Sequence, residues 1–157
     1  MSNASRELIR HAVATVAYRG GKTLRDAPAE FAAFDGAGKT PLQILAHLGD
    51  LFDWALRLAK GDKSWGDSRP LDWEQETQRF FASLAAFDAY LASDEPAQAP
   101  LEKLFQGPIA DALTHVGQLA MLRRLAGCPQ RGENYFVATI EAGRIGPGQA
   151  RAVREFD

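Results

Sequence analysis

Asp111 and His115 stand four residues apart in a segment whose apolar positions repeat at helical spacing, so their side chains project from adjacent turns of one face and can converge on one ion. Such a pair also arises by chance, and a carboxylate in the first turn of a helix is favoured by the helix dipole alone. His47 supplies a separate reason. It falls in the series Ile44, His47, Leu51, Trp54, Leu58, the apolar seam of another helix, where a neutral imidazole needs partners for both ring nitrogens. A shared cation meets that need. Two histidines and one carboxylate suit Zn²⁺, Ni²⁺ or Fe²⁺ and leave positions open to water or substrate, as a catalytic site does and a closed structural site does not.

Other polar residues lie close in sequence. Asp50 and Asp53 follow His47 by three and six positions; Asp50 can reach the same face as a further ligand or hold the far nitrogen of His47, and Asp53 reads as solvated charge. Gln118, three beyond His115, is placed to orient substrate. His11, among the apolar positions of the first helical segment, reads as a core or boundary histidine bonded to a backbone carbonyl. The single cysteine, Cys128, has no partner for an internal disulfide and reads as structurally incidental.

Four helical segments must position these side chains. The first is expected from near Ser5 to Gly20-Gly21, with Leu8, Ala12, Thr15 on one stripe and Ile9, Val13, Val16 beside it. The second has a strong start signal, Thr40 as N-cap, Pro41 at N1 and Gln43 at N3, and stops at Gly61. Asp72 and Gln75 open the third, which continues as Trp73, Thr77, Phe80, Leu84, Phe87, Leu91. No titratable residue interrupts that stripe, so it is assigned to packing. The fourth is expected from Gly107-Pro108 to Gly127, with the seam Ala112, His115, Leu119, Leu122, Ala126. Pro96 to Pro100 reads as a linker. From Arg131 onward the period is lost; Val137, Thr139 and Ile140 are expected against the bundle, and Pro147 to open a short last helix with Ala150 and Val153.

The expected architecture is therefore all-α, one domain over residues 1–157, with a four-helix bundle at about 5–127 and a docked C-terminal tail at 128–157. Length supports this. The 157 residues suffice to bury a core without disulfides, and 46% apolar with 24% charged residues is globular composition. A net charge of −2 without any basic run longer than two argues against nucleic acid as partner. The polar start, Met1 to Glu7, and the lack of an apolar stretch of about 20 residues argue against a leader or a membrane span, so a cytoplasmic protein is expected.

The segment Leu45-Ala46-His47-Leu48-Gly49-Asp50 and the segment Thr114-His115-Val116-Gly117-Gln118-Leu119-Ala120-Met121-Leu122-Arg123-Arg124-Leu125-Ala126-Gly127 resemble the second and fourth helices of the DinB-like (DinB/YfiT) superfamily of metal-dependent four-helix bundles. Arg131-Gly132-Glu133-Asn134-Tyr135-Phe136 is similar to one branch of it. The resemblance implies an up-down-down-up bundle, a homodimer, and a divalent metal on one histidine of the second helix and two histidines spaced four apart on the fourth. Carried over, these positions are His47, Asp111 and His115. Asp111 departs from the commoner histidine. A carboxylate there keeps three ligands but raises the pKa of bound water and favours harder metals; alternatively, it marks a member that has lost its metal.

Two functions stand as expectations. One is a metal-dependent enzyme, for which the resemblance implies a transferase or hydrolase activating water or a low-molecular-weight thiol cosubstrate. The other is a non-catalytic, stress-associated bundle acting as a binding or dimerising module, with His47 and His115 merely buried.

Overall fold

The computed structural model describes residues 3–36 and 38–156. Met1, Ser2 and Asp157, which belong to the polar start and to the C-terminal tail, lie outside them. As expected, the chain is an all-α bundle of four rods with a short tail.

Helix α1 spans Asn3–Leu24 and runs through Gly20-Gly21, the pair expected to end it. These glycines mark a close crossing. A Cβ on Gly20 would stand 2.7 Å from Cζ of the fully buried Phe80. Ile9, Val13, Val16 and Ala17 face the core, whereas on the Leu8, Ala12, Thr15 stripe Ala12 and Thr15 are half-buried and Leu8 is 69% exposed. His11 is exposed, so it is not the core or boundary histidine expected.

Helix α2, Pro41–Ala59, begins with the expected capping box: Gln43 N donates to Thr40 Oγ1 at 3.3 Å and Thr40 N donates to Gln43 Oε1 at 2.9 Å. Its deepest stripe is Leu45, Leu48, Phe52, Ala55, Ala59. The seam predicted through His47, Trp54 and Leu58 is the edge of that stripe, which leaves His47 half-buried and within reach of ligand.

Helix α3, Trp73–Ala92, opens on a second box between Asp72 and Gln75. Phe80, Leu84, Phe87 and Leu91 fill the core. That stripe holds no titratable residue, but Glu76 and Asp88, just off it, are buried as well. Arg10 Nε donates to Asp88 Oδ1 at 3.0 Å and ties α1 to α3; Glu76 pairs with Arg79 one turn further along α3.

The fourth rod starts earlier than predicted. Helix α4 covers Leu101–Leu104, a π-helical turn covers Phe105–Ile109, and α5 covers Ala110–Leu125. Pro108 therefore sits inside the rod and not at its start. It has no N–H for the carbonyl four residues back and its ring crowds that carbonyl; the wider π turn accommodates both defects and rotates the helix beyond it. Asp111 comes after this helical backbone, not in an uncapped first turn, so the helix dipole alone is a poor account of it.

Helices α1 and α2 each pack on α3 and α5, and the pairs α1/α2 and α3/α5 lie across the diagonals. Phe52 meets Phe87 while Asp50 meets Arg79, so α2 and α3 are parallel; Gly20 meets Val116 and Thr23 meets Arg123, so α1 and α5 are parallel too. The order is up-down-down-up. It requires residues 60–72 to return along the bundle, and their extended reach of about 40 Å exceeds the roughly 30 Å of α3.

The tail forms no helix at Pro147. Instead Gly132–Glu133 (β1) pairs antiparallel with Glu155–Phe156 (β2). Lys22 Nζ clasps both strands, 2.8 Å from Glu133 Oε2 and 2.9 Å from Glu155 Oε2, and Tyr18 donates its hydroxyl to Glu133. Ile145 is buried and Ile140 packs on the core, whereas Val137 and Thr139 are exposed. No helix among the described residues is long and apolar enough to cross a membrane.

Candidate metal centre

The antiparallel contact of α2 with α5 brings His47 to the level of Asp111 and His115. Each residue offers one donor atom, and the three atoms lie within 4.8 Å of one another. His47 Nε2 is 3.8 Å from Asp111 Oδ2, and His115 Nε2 is 3.6 Å from Asp111 Oδ1. Both separations exceed a hydrogen bond and come within a few tenths of the roughly 3.4 Å between donors arranged tetrahedrally about a zinc-sized ion. The rings of His47 and His115 stand edge to face, centroids 4.7 Å apart.

Gln118 fixes the chemistry of His115. Its Oε1 accepts from Nδ1 at 2.7 Å, so Nδ1 carries a proton and Nε2 is the nitrogen turned toward the Asp111 carboxylate. With the ring neutral, Nε2 and the carboxylate can both donate to one cation. His47 is biased toward its neutral, ligating form: burial, then the neighbouring His115, then Lys39 push its pKa below the ordinary 6.5, with Asp111 opposing. The side chains are 27% (His47), 48% (Asp111) and 17% (His115) exposed, so a ligand can enter while the imidazoles stay held. The two-nitrogen, one-oxygen set fits a divalent metal.

The remaining predicted residues are engaged elsewhere. Asp50 Oδ1 accepts from Arg79 Nη1 at 3.0 Å and Oδ2 accepts from Ser68 N at 3.0 Å. Asp53 is not simply solvated; its Oδ2 accepts from Arg79 Nη1 at 3.3 Å, and burial raises its pKa.

Arg79 and the 60–72 loop are the parts that sequence reasoning missed. Arg79 Nε donates to Glu76 Oε2 at 2.8 Å, and Nη2 donates to Ala46 O at 2.6 Å and Ser68 Oγ at 2.9 Å. Glu76 Oε1 in turn accepts from Leu71 N at 3.0 Å. Gly49 makes this reach available, since a Cβ there would stand 2.6 Å from Arg79 Cζ. The network pins the loop over α2, where Trp65 packs against His47 at 5.6 Å and edge-on to Trp54 at 5.5 Å. The usable signal was the Glu76 and Arg79 pair on one helix face opposite a glycine; nothing local marks Trp65.

Two grooves open beside the cluster. One, of about 570 Å³, runs along α5 past His115 and is lined by Ile44, Met121, Leu122 and Leu125. The other, of about 230 Å³, lies under the loop and reaches His47, Asp50 and Ser68. Lys39 borders both. No family model, curated protein or solved structure matches the chain.

Proposed function

We propose that this chain is a divalent-metal-dependent enzyme of the DinB-like kind, a transferase or hydrolase in which His47, Asp111 and His115 hold the metal. The observation that carries this reading is the confrontation of His115 Nε2 with Asp111 Oδ1 at 3.6 Å, held in that sense by Gln118. The up-down-down-up order supports it too, since that order sets the two histidines at one depth. A divalent ion held there supplies positive charge that turns a water or a low-molecular-weight thiol into a nucleophile near neutral pH.

The chain's own residues do the rest. His47 stays neutral and keeps its lone pair available. Asp111 adds a negative charge, which favours harder ions and leaves the nucleophile less acidic than three histidines would. Trp65, backed by Trp54, packs against one side of the His47 ring, while the groove along α5 gives substrate its way in.

A cytoplasmic location belongs to the proposal, as does a homodimer. The apolar groove of about 600 Å³ between α1 and the fourth rod, lined by Leu8, Ala12, Leu101, Phe105 and Leu113, supports a second copy as partner. Light scattering on the eluting protein tests that pairing, and a monomer at micromolar concentration overturns it.

The activity test is a titration of glutathione, mycothiol and bacillithiol on zinc-loaded protein with an electrophile panel. A lowered thiol pKa with turnover is expected. Neither effect with any thiol, together with no hydrolysis of activated esters, overturns the enzyme reading in favour of a binding module.

A further inference from the structure

The groove along α5 has a chemical asymmetry that the metal cluster does not explain. Ile44, Met121, Leu122 and Leu125 make one end apolar, and Met121 and Leu125 are exposed there. At its border with the smaller groove stands Lys39, which makes no ion pair among the described residues. Most cations around the cluster are committed: Arg79 is shared among Glu76, Asp50 and Asp53, and Arg57 lies on the far turns of α2. Lys39 lines both grooves, and its charge is near enough to bear on His47.

We propose that this groove takes a small amphipathic monoanion as the substrate of the metal centre, its apolar part lying on Ile44, Met121 and Leu125 and its carboxylate on Lys39. The assignment deepens the metal-enzyme reading and rests on it. A single lysine in a groove that Asp50 and Asp67 also line favours one negative charge over two, so a carboxylate suits the site better than a phosphate monoester. Length agrees as well, because the groove continues past His115 by more than a helical turn to Leu125. His115 lines the same groove, so a ligand held between Lys39 and Leu125 lies beside the cluster.

The sequence has two methionines, so labelling the methionine methyls gives one reporter in the groove, Met121, and one at Met1. Zinc-loaded full-length protein is titrated with sodium octanoate, 1-octanol and hexyl phosphate, and the Met121 methyl resonance is followed. Octanoate is expected to shift it saturably. Lys39→Gln, at an exposed position, is expected to weaken octanoate about three- to five-fold and leave octanol unchanged. Leu125→Ser should weaken both. Octanoate that leaves Met121 unmoved, or that binds Lys39→Gln equally well, overturns the proposal, and tighter hexyl phosphate overturns the monoanion assignment. Zinc content of the same sample separates the two claims: zinc retained with an unmoved Met121 removes this inference alone, and protein that takes up no zinc removes the metal reading and the substrate assignment with it.

Discussion

Gln118 Oε1 lies 2.7 Å from His115 Nδ1, and this one bond decides which ring nitrogen of His115 faces Asp111. Without it the imidazole can turn or change tautomer and present an N–H to the carboxylate. Gln118→Leu is therefore expected to lower zinc affinity about 10- to 100-fold, read by competition with a chromophoric chelator. Gln118→Glu keeps an acceptor in place and should retain the affinity. Equal affinity in Gln118→Leu would show that packing alone orients the ring.

Arg79 answers three carboxylates, of which Glu76 is fully buried. Removing the cation leaves that charge, among the described residues, with only the Leu71 amide as partner. Arg79→Met should cost about 3–5 kcal/mol in urea unfolding, and the emission of Trp65 should shift to the red as its loop loses Ser68. A loss under about 1 kcal/mol would mean that the network behaves as an exposed one.

Gly20→Ala sets two effects against each other. Alanine gains up to about 1 kcal/mol in helix propensity, but its Cβ would meet the buried Phe80 ring at 2.7 Å, and overpacking costs about 1–3 kcal/mol. Net destabilisation is expected by thermal unfolding. In a Phe80→Leu background the clash is relieved and the same substitution should become neutral or favourable; additive effects would contradict the close crossing of α1 and α3.

Acid should release the tail. The hydrogen bond from Lys22 holds Glu155 below the ordinary carboxylate value of 4.5. A depressed folded-state pKa means that the contribution is complete above pH 4.5 and lost as pH falls through the lower folded value. Amide exchange across the pair Glu133↔Glu155 is expected to accelerate in that window. Lys22→Gln should abolish the pH dependence, and an unchanged profile in that variant would assign the acid response to another group.

The starts of α2 and α3 were legible because each capping box is a local pattern, Thr40 with Gln43 and Asp72 with Gln75, complete within three residues. The Gly20-Gly21 pair and Pro108 misled for the opposite reason. Glycine beside a helix reads as a stop and proline as a start, yet here the first marks a contact with Phe80 and the second an interior π turn, both visible only once other elements are in place. Periodicity also hid Glu76 and Asp88, since charges flanking an apolar stripe are ordinarily solvated and become buried only when Arg79 and Arg10 reach them. His47, Asp111 and His115 could be singled out because residue type and spacing carry coordination chemistry by themselves. Trp65 could not, because its place beside His47 depends on the path of the crossover loop.

Metal content decides most directly whether the α2–α5 cluster is a metal centre. Untagged protein prepared without chelator is analysed by plasma mass spectrometry beside His47→Ala and Asp111→Ala. Near-stoichiometric zinc, nickel or iron in the parent, lost from both variants while their helical circular dichroism persists, is the predicted result. A parent protein that carries no metal and takes up none of the three ions on titration contradicts it.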